Sequence, residues 1–143
     1  MIVLDASVAV KWFRDEEGSD LAAQVLVEHR RAIVVPDLFT IEVASALVRS
    51  ANMLKSVRAH MERALATFDT MVRDRLVEPV ATHGHVLTDA WRLALDLGHP
   101  VKDCLYLALA ISRECPLLTA DAKFAEKARG AGHDVRLLLS DQR

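Results

Sequence analysis

The chain has 143 residues, of which 52% are hydrophobic, and this length and composition predict one folded domain and argue against disorder. Its 18 basic and 20 acidic side chains give a formal net charge of −2, so no overall basic field marks a nucleic-acid binder, and a polyanion would need a local patch. The chain has two cysteines, Cys104 and Cys115, and no signal sequence, which predicts a cytoplasmic protein with reduced thiols. No apolar run approaches the roughly 20 residues that span a bilayer, so no membrane partner is expected.

The chain opens on a short apolar run, Ile2–Leu4, which predicts a buried strand that ends at Asp5. From Ala6 to Phe13 the spacing of the apolar residues changes, and this change predicts a helix directly after the strand. An acidic side chain therefore stands at the carboxyl end of a central strand. In open parallel sheets, ligands bind at that place, beside the N-termini of the helices.

The rest of the chain alternates short strands with helices. We predict strands near 32–35, 76–80, 116–119 and 135–138, and helices near 19–29, 38–51, 56–73, 86–97, from Pro100 onward, and 121–129. This alternation predicts a three-layer α/β/α fold, in which a parallel sheet of about five short strands carries helices on both faces, as a single domain over residues 1–143. The two consecutive helices between 38 and 73 break the alternation and predict a projecting hairpin.

Helix ends and burial follow from local signals. Ser19 or Asp20 is a candidate cap of the second helix, and Thr82 is a candidate cap of the helix that Gly98 ends. The helix that opens at Pro100 is apolar almost all round as far as Ile111, which predicts deep burial.

Four carboxylates occupy comparable places in this pattern, after strands or in the early turns of helices, and all are expected to face one edge of the sheet: Asp5, Glu42, Asp103 and Asp121. Like charges at short range raise one another's pKa, and a magnesium or manganese ion with oxygen ligands relieves that repulsion. Such an ion can activate water and stabilise the charge that develops on a phosphodiester. Helix capping is the alternative, because acids are favoured in first turns, and for Asp121 the two interpretations are equally supported.

Two hydroxyl residues accompany the acids. Ser7 and Thr119 each lie two residues from an acid at a strand end. Their hydroxyls either orient a carboxylate or a metal-bound water, or cap the chain locally.

Four segments of the chain resemble the successive motifs of PIN-domain nucleases, and most of all those of VapC-type toxins: Val3–Val8, Thr40–Leu47, Val101–Ala110 and Leu117–Phe124. The resemblance covers nearly the whole chain. It implies a magnesium- or manganese-dependent endoribonuclease of a type II toxin–antitoxin system, commonly a homodimer, which a VapB-type antitoxin holds inactive by covering the active site.

The resemblance also assigns roles to individual residues. Asp5, Glu42 and Asp103 correspond to the core acids that position the metal. Asp121 corresponds to a fourth acid, whose contact with the metal is more often indirect, and Ser7 and Thr119 correspond to the usual hydroxyl positions. The implied mechanism is in-line attack on an RNA phosphate by water that the metal activates.

Two other functions stay open at this point. In a magnesium-dependent phosphatase Asp5 would be the covalent nucleophile, although such enzymes normally place a second acid where this chain has Ser7. A non-catalytic PIN-like module would bind RNA or protein without cutting.

Other side chains have weaker signals. The six histidines, including His99, show no metal-ligand grouping and are expected at the surface or at helix caps. The long helices through Phe39 and Met61 are expected either to form a groove for an antitoxin helix or to pack on each other. Candidates for phosphate contacts are Lys11, Arg14, Arg49, Lys55, Arg58 and Lys102.

Overall fold

A computed structural model describes residues 1–139, which form seven α-helices around one five-stranded parallel sheet. The strands are β1 (Ile2–Leu4), β2 (Ile33–Pro36), β3 (Glu78–Val80), β4 (Leu117–Thr119) and β5 (Val135–Leu137). The helices are α1 (Ala6–Ala9), α2 (Ser19–Glu28), α3 (Leu38–Met53), α4 (Arg58–Arg73), α5 (His85–Leu97), α6 (Val101–Ser112) and α7 (Ala122–Gly130), with 3₁₀ turns at Val10–Trp12 and Lys55–Val57. The predicted three-layer α/β/α architecture is confirmed.

The central strand of the sheet is β1. The strand order is β3-β2-β1-β4-β5, and Val3 pairs with Val34 of β2 on one side and with Leu117 of β4 on the other. All three residues of β1 are buried, which explains their uninterrupted apolar run. β2 and β3 lie on one side of β1, and β4 and β5 lie on the other. The strand order therefore reverses between β1 and β4, and folds of this type bind ligands in the crevice at that point.

The helices α3 and α4 form the predicted hairpin and pack on each other. The rings of Phe39 and Phe68 lie 5.9 Å apart between them, and both are buried. Of the two expectations for these helices, mutual packing is therefore confirmed.

The caps predicted for α2 and α5 are wrong. Gly18 precedes α2 with a φ of +86°, and the Ser19 hydroxyl instead donates to the Arg14 carbonyl. Gly84 precedes α5 with a φ of +60°, a conformation that favours glycine. The hydroxyl of Thr82 is buried without a hydrogen-bond partner among the described residues.

Helix α6 is the buried helix predicted from its sequence, and its flanks hold one correction. Leu105 through Ala110 are buried, but Ile111 is 47% exposed at the end of the helix. Gly98 ends α5 in the left-handed conformation, as predicted. Cys104 is buried and Cys115 half-buried, and both are free thiols. Within residues 1–139, none of the helices has the length and apolar character needed to cross a membrane.

Candidate active site

Asp5 lies at the end of the central strand and is held by two hydroxyl groups. It occupies the position before α1 but makes no capping bond with its side chain. Its Oδ2 accepts hydrogen bonds from Ser7 Oγ at 2.9 Å and from Thr119 Oγ1 at 2.7 Å. Thr119 ends β4, the neighbour of β1, so the parallel pairing of these strands brings together residues 114 positions apart.

The half-buried Asp5 carboxyl has a raised pKa. Its pKa rises from 3.8 to about 6, chiefly because burial removes water from the charged form. The hydrogen bonds from Thr119 and Ser7 oppose this rise, whereas the negative charges of Asp103 and Glu42 add to it. These three acids therefore repel one another, and a bound cation would favour their charged forms.

Glu42 comes from α3 and is held by a tyrosine from α6. Tyr106 is buried, and its hydroxyl donates to Glu42 Oε1 at 2.6 Å. Burial, followed by the bond to Glu42, raises the pKa of Tyr106 well above its ordinary value, so the hydroxyl stays protonated as a donor. Lys102 lies 3.8 Å from Glu42 Oε2, but it is largely exposed and water screens this ion pair.

Sequence reasoning misses Tyr106 as a site residue, because the tyrosine belongs to the apolar pattern that predicts burial of α6. A signal was present. A tyrosine in a helix predicted to be buried carries a hydroxyl that must find a partner, and Tyr106 follows Asp103 by three residues, about one helical turn.

Asp103 lies in the first turn of α6, beside His99. The distance between His99 Nε2 and Asp103 Oδ2 is 2.7 Å, and the histidine side chain is only 8% exposed. One ligand atom each from His99, Asp103 and Asp121 lie within 4.8 Å of one another. The expectation that the histidines show no grouping with metal-ligand residues is therefore wrong for His99, since the turn between α5 and α6 brings it to Asp103.

Asp121 both caps α7 and faces the other acids. Its Oδ1 accepts from the backbone N–H of Phe124 at 3.1 Å, so the capping interpretation is confirmed. Its own backbone N–H donates to Thr119 Oγ1 at 3.1 Å. As the cap of α7, Asp121 also lies close to Asp103. The residue is therefore both a helix cap and a neighbour of the other acids, the two alternatives that the sequence left open.

All six residues singled out from the sequence lie at the carboxyl edge of the sheet: Asp5, Ser7, Glu42, Asp103, Thr119 and Asp121. Ser7 also accepts from the backbone N–H of Ala120 at 3.1 Å, which ties the loop after β4 to the loop after β1. The arrangement presents hard oxygen donors, and such a donor set suits a divalent cation. The catalytic roles of these residues stay a prediction.

The basic candidates for phosphate contacts divide into bound and exposed side chains. Arg14 is not available, because its Nη2 donates to the Ala46 carbonyl at 2.9 Å and to Ser50 Oγ at 2.6 Å. Lys11 Nζ donates to the Glu17 carbonyl at 2.7 Å. Arg58 pairs with Glu62 on the surface. The side chains of Arg49, Lys55 and Lys102 are exposed and make no hydrogen bond within the described part of the chain.

The sequence and the fold are similar to those of known nucleases. Residues 2–130 match the sequence model of the PIN domain. Ribonuclease VapC3 of Pyrobaculum aerophilum is 32% identical over 129 residues, which are 88% of this chain and 93% of that protein.

Solved structures share the fold. VapC20 of Mycobacterium tuberculosis, a toxin that cleaves the sarcin-ricin loop, superposes with a TM-score of 0.70 at 14% identity, over 95% of this chain and 99% of its own. A toxin–antitoxin complex from Klebsiella pneumoniae superposes with a TM-score of 0.61 at 15% identity, over 87% of this chain and 91% of its own.

We predict that Asp5→Asn stabilises the metal-free protein at about pH 8. The folded state holds the pKa of Asp5 near 6, above 3.8, so folding favours the protonated form and stability falls as pH rises through this range. Asparagine does not ionise, so the variant should gain about 1–3 kcal/mol in free energy of unfolding at about pH 8, and less at about pH 4.5.

Urea denaturation in a chelator at both pH values measures this gain. Asp89→Asn on the exposed face of α5 is the matched control and should show no such pH-dependent gain. An equal effect of Asp5→Asn at both pH values would contradict the prediction.

We predict that Tyr106→Phe loses about 1.5–3 kcal/mol of free energy of unfolding, because Glu42 loses the donor that lies 2.6 Å from its Oε1. A double-mutant cycle with Glu42→Ala, which removes the acceptor, isolates this bond. The loss caused by Tyr106→Phe should shrink in the Glu42→Ala background, and additive effects would show that the bond contributes nothing.

Proposed function

The chain belongs to the PIN-domain family, and from this premise we propose that it is an endoribonuclease toxin of the VapC type, which hydrolyses RNA phosphodiester bonds with a divalent metal ion. The observation that carries the proposal is the convergence of Asp5, Glu42, Asp103 and Asp121 on one crevice. The 32% identity to ribonuclease VapC3 over most of both chains supports the same activity.

The residues at the crevice fit a magnesium ion, or a manganese ion in its place. All four acids offer carboxylate oxygens, which both ions prefer, and burial makes the ionised form of Asp5 unfavourable until a cation offsets it. When bound, such an ion neutralises charge on the phosphate and lowers the pKa of water.

The chain itself contributes orientation. Ser7 and Thr119 hold Asp5, and Tyr106 holds Glu42, so two of the acids are fixed before any ligand arrives. Asp121 is held by the first turn of α7. Pre-positioned groups of this kind place the phosphate and its attacking water in line without reorganisation of the site. The exposed ammonium of Lys102, beside Glu42, is available to an RNA phosphate.

We propose that a VapB-type antitoxin docks in the groove between the first 3₁₀ turn, α2 and α4, while its tail covers the active site. This groove has a volume of about 540 Å³, and Trp12, Phe13, Ala23 and Ala64 are among its lining residues. Arg63 also lines it, which favours an amphipathic segment with acidic side chains at the rim of its apolar face. We propose that the protein acts in the cytoplasm, together with this partner and the RNA substrate.

We further propose a homodimer through α5. Leu87, Trp91 and Leu95 are exposed at 44%, 43% and 76%, and their spacing of four residues puts them on one face of the helix. An exposed apolar stripe of this kind is typical of a protein–protein contact.

We predict that the purified protein cleaves discrete species of total cellular RNA with magnesium or manganese, and not with a chelator. Asp5→Asn should lower the rate by about 100-fold or more while the fold is kept, because the ion loses a ligand. Asp89→Asn is the control. Metal binding without cleavage of any RNA would contradict the proposal and favour a non-catalytic binding module.

We predict that Ala23→Arg prevents inhibition by the antitoxin and leaves RNA cleavage unchanged, because the new side chain fills the groove away from the acids. Ala131→Arg, exposed after α7, is the matched control and should stay inhibited. Full inhibition of Ala23→Arg would show that the antitoxin binds elsewhere.

We predict that Leu95→Glu shifts the protein from dimer to monomer in analytical ultracentrifugation, since it buries a charge in the proposed contact. Ile111→Glu, at an exposed apolar position on α6, is the control. A monomeric wild type, or a dimer that Leu95→Glu does not weaken, would contradict this interface.

A further inference from the structure

His99 lies where three helices meet. Its backbone N–H donates to the Ala94 carbonyl at the end of α5, at 3.1 Å, and Pro100 follows it with a φ of −59° at the start of α6. Its ring stacks on Phe124 of α7 with the centroids 4.6 Å apart and the planes inclined by 32°. The residue is therefore held on both sides of its backbone and across its ring.

The two ring nitrogens of His99 have different partners. Nε2 lies 2.7 Å from Asp103 Oδ2, and Nδ1 lies 3.4 Å from Lys127 Nζ. Lys127 Nζ also donates to the Gly98 carbonyl at 3.0 Å, which keeps the ammonium in this place. An ammonium has donors only, so Nδ1 must be the acceptor, and the neutral ring then carries its proton on Nε2 and donates it to Asp103.

We propose that His99 is a positioning residue of the active site, which orients Asp103 through an Nε2–H tautomer that the Asp103 carboxylate and the Lys127 ammonium both favour. This inference rests on the proposed function, in which Asp103 binds the metal. The bond from His99 occupies Oδ2 and leaves Oδ1 of Asp103 for a cation. Partners of ligating carboxylates in this position strengthen metal binding by fixing the ligand.

The same geometry gives α7 two tasks in the site. Its N-terminus carries Asp121, and its later turn carries Lys127, which acts on Asp103 through His99. One helix thus sets the orientation of two acids whose oxygens lie within 4.8 Å of each other.

Direct coordination by His99 is the rival explanation, because its ring nitrogen lies within 4.8 Å of carboxylate oxygens of Asp103 and Asp121. Each nitrogen has a partner that opposes coordination. Nε2 uses its proton at 2.7 Å from Asp103, and the lone pair of Nδ1 faces the ammonium of Lys127. Coordination would require one of these contacts to break.

The first test is the tautomer of His99 in the full chain, read by ¹⁵N NMR with labelled histidine. In the metal-free protein we expect a protonated Nε2 and an unprotonated Nδ1, and we expect both signals to keep this form when magnesium is added. In Asp103→Ala, which removes the acceptor of the Nε2 proton, the preference for the Nε2–H tautomer should weaken. A protonated Nδ1 in the wild type, or loss of the Nε2 proton on addition of magnesium, overturns the proposal.

The second test compares two substitutions of His99. The amide nitrogen of glutamine reaches about as far as Nε2, and that of asparagine only about as far as Nδ1. Calorimetric titration with manganese should give His99→Gln an affinity within about threefold of the wild type, and His99→Asn an affinity about 10–100-fold weaker. Equal affinities for the two variants overturn the proposal, and thermal melting checks that both are folded.

Neither readout uses RNA, so the two failures are distinguishable. A protein that cleaves no RNA but shows the Nε2–H tautomer and the difference between glutamine and asparagine contradicts only the nuclease assignment. A protein that cleaves RNA but shows neither contradicts only the role of His99.

Discussion

The structure depends on one half-buried carboxylate at the junction of β1 and β4. Asp5 accepts a hydrogen bond from Thr119 at 2.7 Å. This bond joins β1 and β4, the two strands between which the strand order reverses. The carboxylate is held in place, yet burial and two neighbouring acids oppose its ionisation. Stability and function therefore conflict at this residue, since the charge that destabilises the free protein is the charge that a metal ion requires.

The other acids follow the same plan. Each of three carboxylates is held by a side chain from a distant segment or the neighbouring turn: Asp5 by Thr119, Glu42 by Tyr106 and Asp103 by His99. Tyr106 is almost completely buried in the core. The geometry of the site thus depends on the packing of the core, because a shift of α6 against α3 would move Tyr106 and Asp103 together relative to Glu42.

The surfaces away from the crevice suit other contacts. The groove beside α2 and α4 and the apolar face of α5 do not include the acids of the site, so the proposed antitoxin and the proposed second copy would contact different surfaces. Separate surfaces allow partner binding to change without loss of the catalytic residues.

The sequence by itself determined the order of elements, the α/β/α class and the acids at one edge, because apolar spacing, glycines and strand ends are local signals. It located Asp121 as a cap and Gly98 as a helix end for the same reason. It offered Ser7 and Thr119 as hydroxyls that orient a carboxylate, and both donate to Asp5, but it did not determine the partners of Glu42 and Asp103. Tyr106 looked apolar and His99 looked isolated, since their functions arise from contacts with Glu42 on another helix and with Lys127, 28 residues away. Only the tertiary structure decides such contacts, because a hydrogen bond depends on distance in space and not on position in the chain.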